Sequence, residues 1–116
     1  MTVRRLKTYA ASTGYVYQYY FVGKRPAPGI PLGTEYVFDV TWDRKTTHAV
    51  SVCLPAATLH NWARAHGRSL SEAEQYGAVK MRLFQAFDEM ENLRANKSLE
   101  LDENELIAAL AVLGLE

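Results

Sequence analysis

Three side chains that could carry acid–base or nucleophilic chemistry lie near the middle of the chain: Asp39, His48 and Cys53. A histidine beside a carboxylate can act as a general base, and a histidine beside a thiol can activate a nucleophile. One interpretation is therefore a small enzyme that uses His48 with Asp39 or Cys53, which requires these groups to converge in one concave pocket. A buried thiol and a solvated carboxylate on a strand explain Cys53 and Asp39 equally well, so this is the second alternative.

The histidines and the cysteine are also potential metal ligands, but their spacing is unfavourable. His60 and His66 are six residues apart, which turns them by roughly 240° on a helix and away from a common face. The sequence contains no His-x-x-x-His or Cys-x-x-Cys pair, no Gly-x-Ser-x-Gly and no phosphate-binding Gly-Lys-Ser/Thr. We therefore expect no metal and no cofactor.

The most unusual stretch is residues 15–22, which holds five aromatic rings in eight residues. Side chains alternate between the two faces of a strand. One face would carry Tyr15, Tyr17, Tyr19 and Phe21, and the other Val16, Gln18, Tyr20 and Val22. Whichever face is buried, at least one large ring lies on each side, and tyrosine is typical of sheets that are partly covered or that meet a partner.

These rings and the basic residues near them favour a non-enzymatic protein-binding module, such as a regulatory, inhibitory or accessory subunit. It would use an aromatic sheet face and adjacent basic loops, because aromatic and arginine side chains are the usual anchors of interfaces. The residues expected to contact the partner are Tyr17, Tyr19, Tyr20, Lys24, Arg25, Trp42 and Arg44.

The first alternative is binding of nucleic acid, since bases stack on exposed rings while basic residues contact phosphates. It would use the same rings with Arg4, Arg5, Lys24, Arg25, Arg44 and Lys45. The thirteen basic and thirteen acidic side chains cancel, so the net charge does not favour non-specific DNA packaging.

Length and composition predict one domain, because 116 residues with 48% apolar content suffice for a single core. A single cysteine excludes an intrachain disulfide framework and favours a reducing cytoplasm. No apolar run approaches the roughly 18 residues of a membrane span, so we expect a cytoplasmic protein without membrane contact.

The apolar period is close to two in the first half of the chain and close to 3.6 in the second, which predicts strands followed by helices. The predicted strands run from about residue 6 or 15 to 22, over 35–42 and over 46–54, and the Pro- and Gly-rich residues 23–34 form a loop. Even-numbered residues of the last two strands should share the core face, which requires an odd connection of three or five residues. Helices follow Pro55, the capping box Ser71/Glu74 and the capping box Asp102/Glu105.

The sequence thus predicts an α+β domain in the order βββααα, with a three-stranded antiparallel sheet packed by two to three helices. Residues 94–101 are a candidate linker to a final helix over 102–114. The apolar face of that helix, and a second sheet face of intermediate polarity formed by Val37, Ala49, Ser51 and Cys53, suggest association. A homodimer is the simplest closed arrangement.

Overall fold

A computed structural model describes residues 6–27, 32–89 and 97–115 of the chain. The strands are β1 (Lys7–Ala10), β2 (Val16–Pro26), β3 (Gly33–Thr41), β4 (His48–Pro55) and β5 (Lys97–Glu100). The helices are α1 (Ala56–His66), α2 (Glu72–Glu89) and α3 (Glu103–Val112).

The strands form one mixed sheet in the order β1-β2-β3-β4-β5, with β5 parallel to β4 and the other pairs antiparallel. The α+β class is confirmed. The three-stranded, fully antiparallel sheet and the order βββααα are only partly confirmed, because two edge strands were missed and β5 lies between α2 and α3. Each edge strand has only four residues, too few for a period-two pattern to be recognised.

Strand β5 lies in the segment that the sequence marked as a linker. Residues 94–96 fall outside the described residues, whereas Lys97–Glu100 pair with β4. Leu99, the one apolar residue of this strand, is 5% exposed. Pairing and burial together hold a segment whose local sequence has no strong strand preference.

Strand β2 continues four residues beyond the predicted end at Val22, so Gly23 to Pro26 are strand rather than loop. A β-bulge interrupts its register with β3 between Phe21 and Gly23. Pro26 is tolerated because β1 pairs only with residues 16–19 of β2, so among the described residues β2 is an edge strand at Pro26 and no partner there needs its backbone donor.

The register of β3 and β4 confirms that even-numbered residues pair, with Tyr36 opposite Val52 and Val40 opposite His48. The predicted length of the connection is wrong, since the pair of Val40 and His48 encloses the seven residues 41–47. The Asp43 carboxylate organises this wider turn by accepting hydrogen bonds from the backbone N–H groups of Lys45 and Thr46, at 2.8 and 2.9 Å. A side chain, rather than a short backbone turn, therefore stabilises this connection.

The predicted helix starts are confirmed, whereas α3 ends at Val112, two residues before the predicted end. At the start of α2, the Ser71 hydroxyl accepts from the Glu74 N–H at 3.1 Å, and Glu74 accepts from the Ser71 N–H at 2.9 Å. Asp102 and Glu105 form the same reciprocal box before α3. Gly67 ends α1 in the left-handed region, at φ 70°.

The three helices pack on one face of the sheet and share a single hydrophobic core with it. The Phe87 ring of α2 stacks on Tyr17 of β2 at 4.4 Å between centroids. Leu106 and Leu110 of α3 are at most 1% exposed within the same core. The last helix is therefore part of the domain rather than an extension from it.

None of the helices in the described part of the chain has the length and apolar character that a membrane span requires.

Candidate functional site

The face of the sheet that points away from the helices is the candidate site. Because the helices occupy the side of Tyr17, Tyr19 and Phe38, the pleat turns the alternate residues of β2 and β3 outward. We call this surface the open sheet face, and its members are Val16, Gln18, Tyr20, Val22, Val37 and Asp39. All six are exposed or half-buried, and Val16 and Val22 are 47% and 36% exposed.

A hollow lies on this face at the bulge. The bulge places both Val22 and Gly23 against Val37, and a cavity of about 220 Å³ opens there, lined also by Lys24 and Arg25. A Cβ atom built on Gly23 would meet nothing within 4 Å. The missing side chain of Gly23 therefore leaves room for a group from outside. The volume is below the roughly 300–1,000 Å³ of small-molecule pockets and suits one protruding side chain.

Polar groups next to the hollow are held in fixed positions. The Tyr20 hydroxyl donates to the Asp39 carboxylate at 2.7 Å. The Arg25 Nε donates to Glu35 at 2.6 Å, and the side chain of Arg25 is 64% exposed while that of Glu35 is 9% exposed. This edge of the open sheet face thus presents a guanidinium over a buried carboxylate.

Two of the predicted contact residues, Tyr17 and Tyr19, lie in the core, at 1% and 4% exposure. Their rings face α2, and burial raises the pKa of Tyr19. The sequence did not decide which face of β2 is buried. In the structure, Tyr17 and Tyr19 lie on the buried face. Tyr20 is the tyrosine of the predicted set that lies on the open sheet face.

The other predicted residues are distributed over three places. Arg25 lies on the open sheet face, whereas the bulge turns Lys24 toward the helices, where its Nζ lies 3.5 Å from Glu72 and 5.9 Å from the Tyr36 ring centroid. Trp42 packs edge-on against Tyr15 at 6.2 Å. Arg44 is exposed in the β3–β4 turn. The structure therefore brings Tyr20 and Arg25 together on one face, with Lys24 at the edge of the hollow.

The groups of the enzyme alternative are not brought together. His48 has the same parity as the core residues of β4, whereas Asp39 and Cys53 point to the opposite face of the sheet. Burial, with Glu100 and Glu35 nearby, raises the pKa of the Cys53 thiol, which disfavours the nucleophilic thiolate. Among the described residues, no group of three or more His, Cys, Asp or Glu side chains is placed to hold a metal ion.

Of the residues of the hollow, Gly23 was missed from the sequence, which predicted a loop there. Val37 was expected on the sheet face that suggests association, and Val22 on one face of the tyrosine strand. A signal was present, because a glycine directly after a long alternating run often marks a bulge. The nearby prolines favoured the interpretation of Gly23 as the start of a loop.

No protein-family model matches this chain, and no curated protein and no solved structure matches it either.

Proposed function

We propose that this protein acts by binding another protein through its open sheet face, with one partner side chain seated in the hollow at the bulge. The observation that carries the proposal is that this face has three valines and a tyrosine that its own helices do not cover. Apolar groups of this kind, interspersed with polar ones, are typical of non-obligate interfaces.

The hollow supplies the feature that a flat sheet lacks. Binding energy at interfaces concentrates in a few side chains that fill pockets and are surrounded by groups that exclude water. Val22 and Val37 form apolar walls, and Tyr20 and Arg25 lie nearby as groups of the types enriched in such contacts. An apolar partner side chain flanked by a neutral hydrogen-bond acceptor, which the exposed guanidinium of Arg25 can reach, fits this arrangement.

The alternative of nucleic-acid binding gains no support from the site. Tyr17 and Tyr19, two of the rings on which it relied, are buried, which leaves Tyr20 as the tyrosine of that set on the open sheet face. Lys24 and Arg25 are each paired with a carboxylate, and Asp39 adds negative charge to the same surface. We infer a regulatory, inhibitory or accessory role for the protein. We also infer a cytoplasmic location, where the single thiol of Cys53 stays reduced.

Filling the hollow tests the proposal. In Gly23→Val, the added side chain enters open space and valine favours a strand, so the fold is retained while the partner side chain is excluded. Ser98→Val is the matched control, because Ser98 is exposed on the same side of the sheet at the β5 edge, three strands away from β2.

The measurement is quantitative affinity capture of interacting proteins by the wild type and both variants, with circular dichroism to verify folding. We expect a protein that the wild type and Ser98→Val retain and that Gly23→Val loses. Equal retention by a folded Gly23→Val would reject the hollow as the contact point.

A further inference from the structure

A second surface lies on the helix side of the molecule, in a groove between α2, α3 and β1. Its volume is about 340 Å³, within the range of pockets that hold several groups of a ligand. We call it the helical groove. Its apolar lining consists of Tyr9, Met81, Phe84, Ala108, Ala109 and Val112, and its polar lining of Arg82, Gln85, Asp88, Glu89 and Glu105.

The aromatic wall of the helical groove is held rigidly. The Tyr9 ring stacks on Phe84 at 4.5 Å, and its hydroxyl donates to the Asp88 carboxylate at 2.7 Å. The other oxygen of Asp88 accepts from the Ser12 N–H at 2.9 Å. The groove is thus preformed, which lowers the entropic cost of binding.

The apolar surface extends beyond the groove along α3. After Glu105 this helix has no charged residue up to its end at Val112. Val112 is 74% exposed and Ile107 is 52% exposed. Groove and helix surface together form an apolar area of the kind that other proteins cover.

The charges around the helical groove are unbalanced. Arg82 is matched by Glu105, with 3.0 Å between Nε and Oε2. Within the described part of the chain, no basic side chain pairs with Asp88 or Glu89. The hydrogen bonds from the Tyr9 hydroxyl and the Ser12 N–H lower the pKa of Asp88, so its charge is present at neutral pH. Among the described lining residues, one guanidinium stands against three carboxylates, so the lining carries a net negative charge. Lys80, whose Nζ lies 5.8 Å from the centroid of the Phe84 ring, is near the groove but is not part of this lining.

We infer that the helical groove binds an amphipathic, basic helix of a partner protein, with apolar side chains between Tyr9 and Val112 and lysine or arginine beside Asp88 and Glu89. An apolar groove that takes the apolar face of a helix is a recurrent mode of recognition. Charge decides against a second copy of this chain, because two grooves meeting face to face would bring together the Asp88 and Glu89 carboxylates of both copies, which pair with no basic side chain among the described residues. The helical groove is separate from the open sheet face. An experiment that rejects one of the two proposed binding sites therefore leaves the other untouched.

The probe is a synthetic helical peptide of leucine, alanine and lysine with its leucines on one face, and the comparison peptide has glutamate at every lysine. Binding is followed by NMR on the isotope-labelled full chain. We expect the basic peptide to shift the resonances of Met81, Phe84 and Val112, and to bind at least about tenfold more tightly than the acidic one, a difference of roughly 1.4 kcal/mol.

Two variants locate the contact. Ala108→Arg places a bulky basic side chain in the groove, and Ala65→Arg makes the same change at an exposed position of α1. We expect the first to weaken binding of the basic peptide at least about tenfold, because it both fills the groove and offsets its negative charge, and the second to leave binding unchanged. Absence of binding, equal affinity for both peptides, or a folded Ala108→Arg that binds like the wild type would each overturn the inference.

Light scattering on the same proteins tests whether a second copy of this chain occupies the groove instead. We expect the wild type and Ala108→Arg to have the same mass in solution. A wild-type dimer that Ala108→Arg converts to a monomer would assign the groove to a second copy of this chain and would also overturn the inference.

Discussion

At the residue scale, Glu74 shows how one carboxylate can join two helices. It receives hydrogen bonds from both terminal nitrogens of the Arg68 guanidinium, at 3.0 and 3.1 Å, and from the Ser71 N–H at 2.9 Å. Arg68 in turn lies over the Trp62 ring of α1, at 5.1 Å. The Glu74 carboxylate therefore links Arg68 and Ser71 of the turn to the first turn of α2.

The titration of Glu74 follows from this geometry. The hydrogen bonds from Arg68, and then that from the Ser71 N–H, lower the pKa of Glu74 from 4.5 to about 2. A lowered pKa means that the ionised carboxylate stabilises the fold above about pH 4.5, and that this stabilisation is lost as the pH falls through about 2. In an NMR titration we expect a Glu74 midpoint near 2 in the wild type, and a higher midpoint in Arg68→Gln. A wild-type midpoint near 4.5 would contradict the account.

Two glycines should respond in opposite ways to alanine. Gly67 has φ 70°, in the left-handed region, so Gly67→Ala should lower the free energy of unfolding by about 1 kcal/mol. Gly23 has no such φ and has open space around its missing Cβ, so Gly23→Ala should be neutral or stabilising by about 0.5 kcal/mol. Urea unfolding of both variants measures the two values, and a similar loss in both would refute the distinction.

At the element scale, the helices were more predictable than the sheet edges. The boxes at Ser71 and Asp102 specify helix starts through local hydrogen bonds, so three or four residues of sequence are enough to recognise them. The pairing parity of β3 and β4 was predictable for a similar reason, because one polarity pattern repeats along both strands.

The missed elements depend on contacts that are distant in sequence. Strand β5 forms against β4, more than forty residues earlier in the chain. Strand β1 pairs with β2, and its Tyr9 ring stacks on Phe84 of α2, more than seventy residues later. The division of the tyrosines between the two faces of β2 also depends on where α2 packs. A local pattern cannot reveal partners of this kind.

The capping box of α3 should contribute measurable stability. Asp102 accepts from the Glu105 N–H at 2.7 Å, and Glu105 accepts from the Asp102 N–H at 3.0 Å. Asp102→Ala should lower the free energy of unfolding by about 1 kcal/mol, since it leaves helix N–H groups without an acceptor. Asn104→Ala, an exposed change two residues later, is the control and should have little effect. Equal losses in denaturant unfolding would argue against the box.

At the scale of the whole molecule, the sheet separates two surfaces with different properties. The open sheet face is a mixed surface with a small hollow, whereas the helical groove on the other side is apolar with a net negative charge. Each surface therefore favours a different type of ligand. An accessory subunit that contacts two partners, or two parts of one partner, fits this division.

The helix that forms one wall of the groove also completes the core. A chain ending after Leu101 would lose Leu106, Ala109 and Leu110, which are 0%, 6% and 1% exposed. Burial of one leucine is worth about 2 kcal/mol, and small domains have a total stability of about 5–15 kcal/mol. We expect the truncated chain to show no cooperative thermal transition by circular dichroism, while the full chain with Val112→Ser unfolds cooperatively. A folded truncation product would show that α3 is dispensable.

The central claim is that a partner protein covers the open sheet face, and site-specific photo-crosslinking tests it most directly. In one variant, a photoreactive phenylalanine analogue would replace Gln18, which is half-buried on this face. In a second variant, the control, it would replace Arg64, which is exposed on α1. We predict a covalent adduct with a different polypeptide from position 18 and none from position 64. No adduct from position 18, an equal yield from both positions, or an adduct only with another copy of this chain would contradict the account.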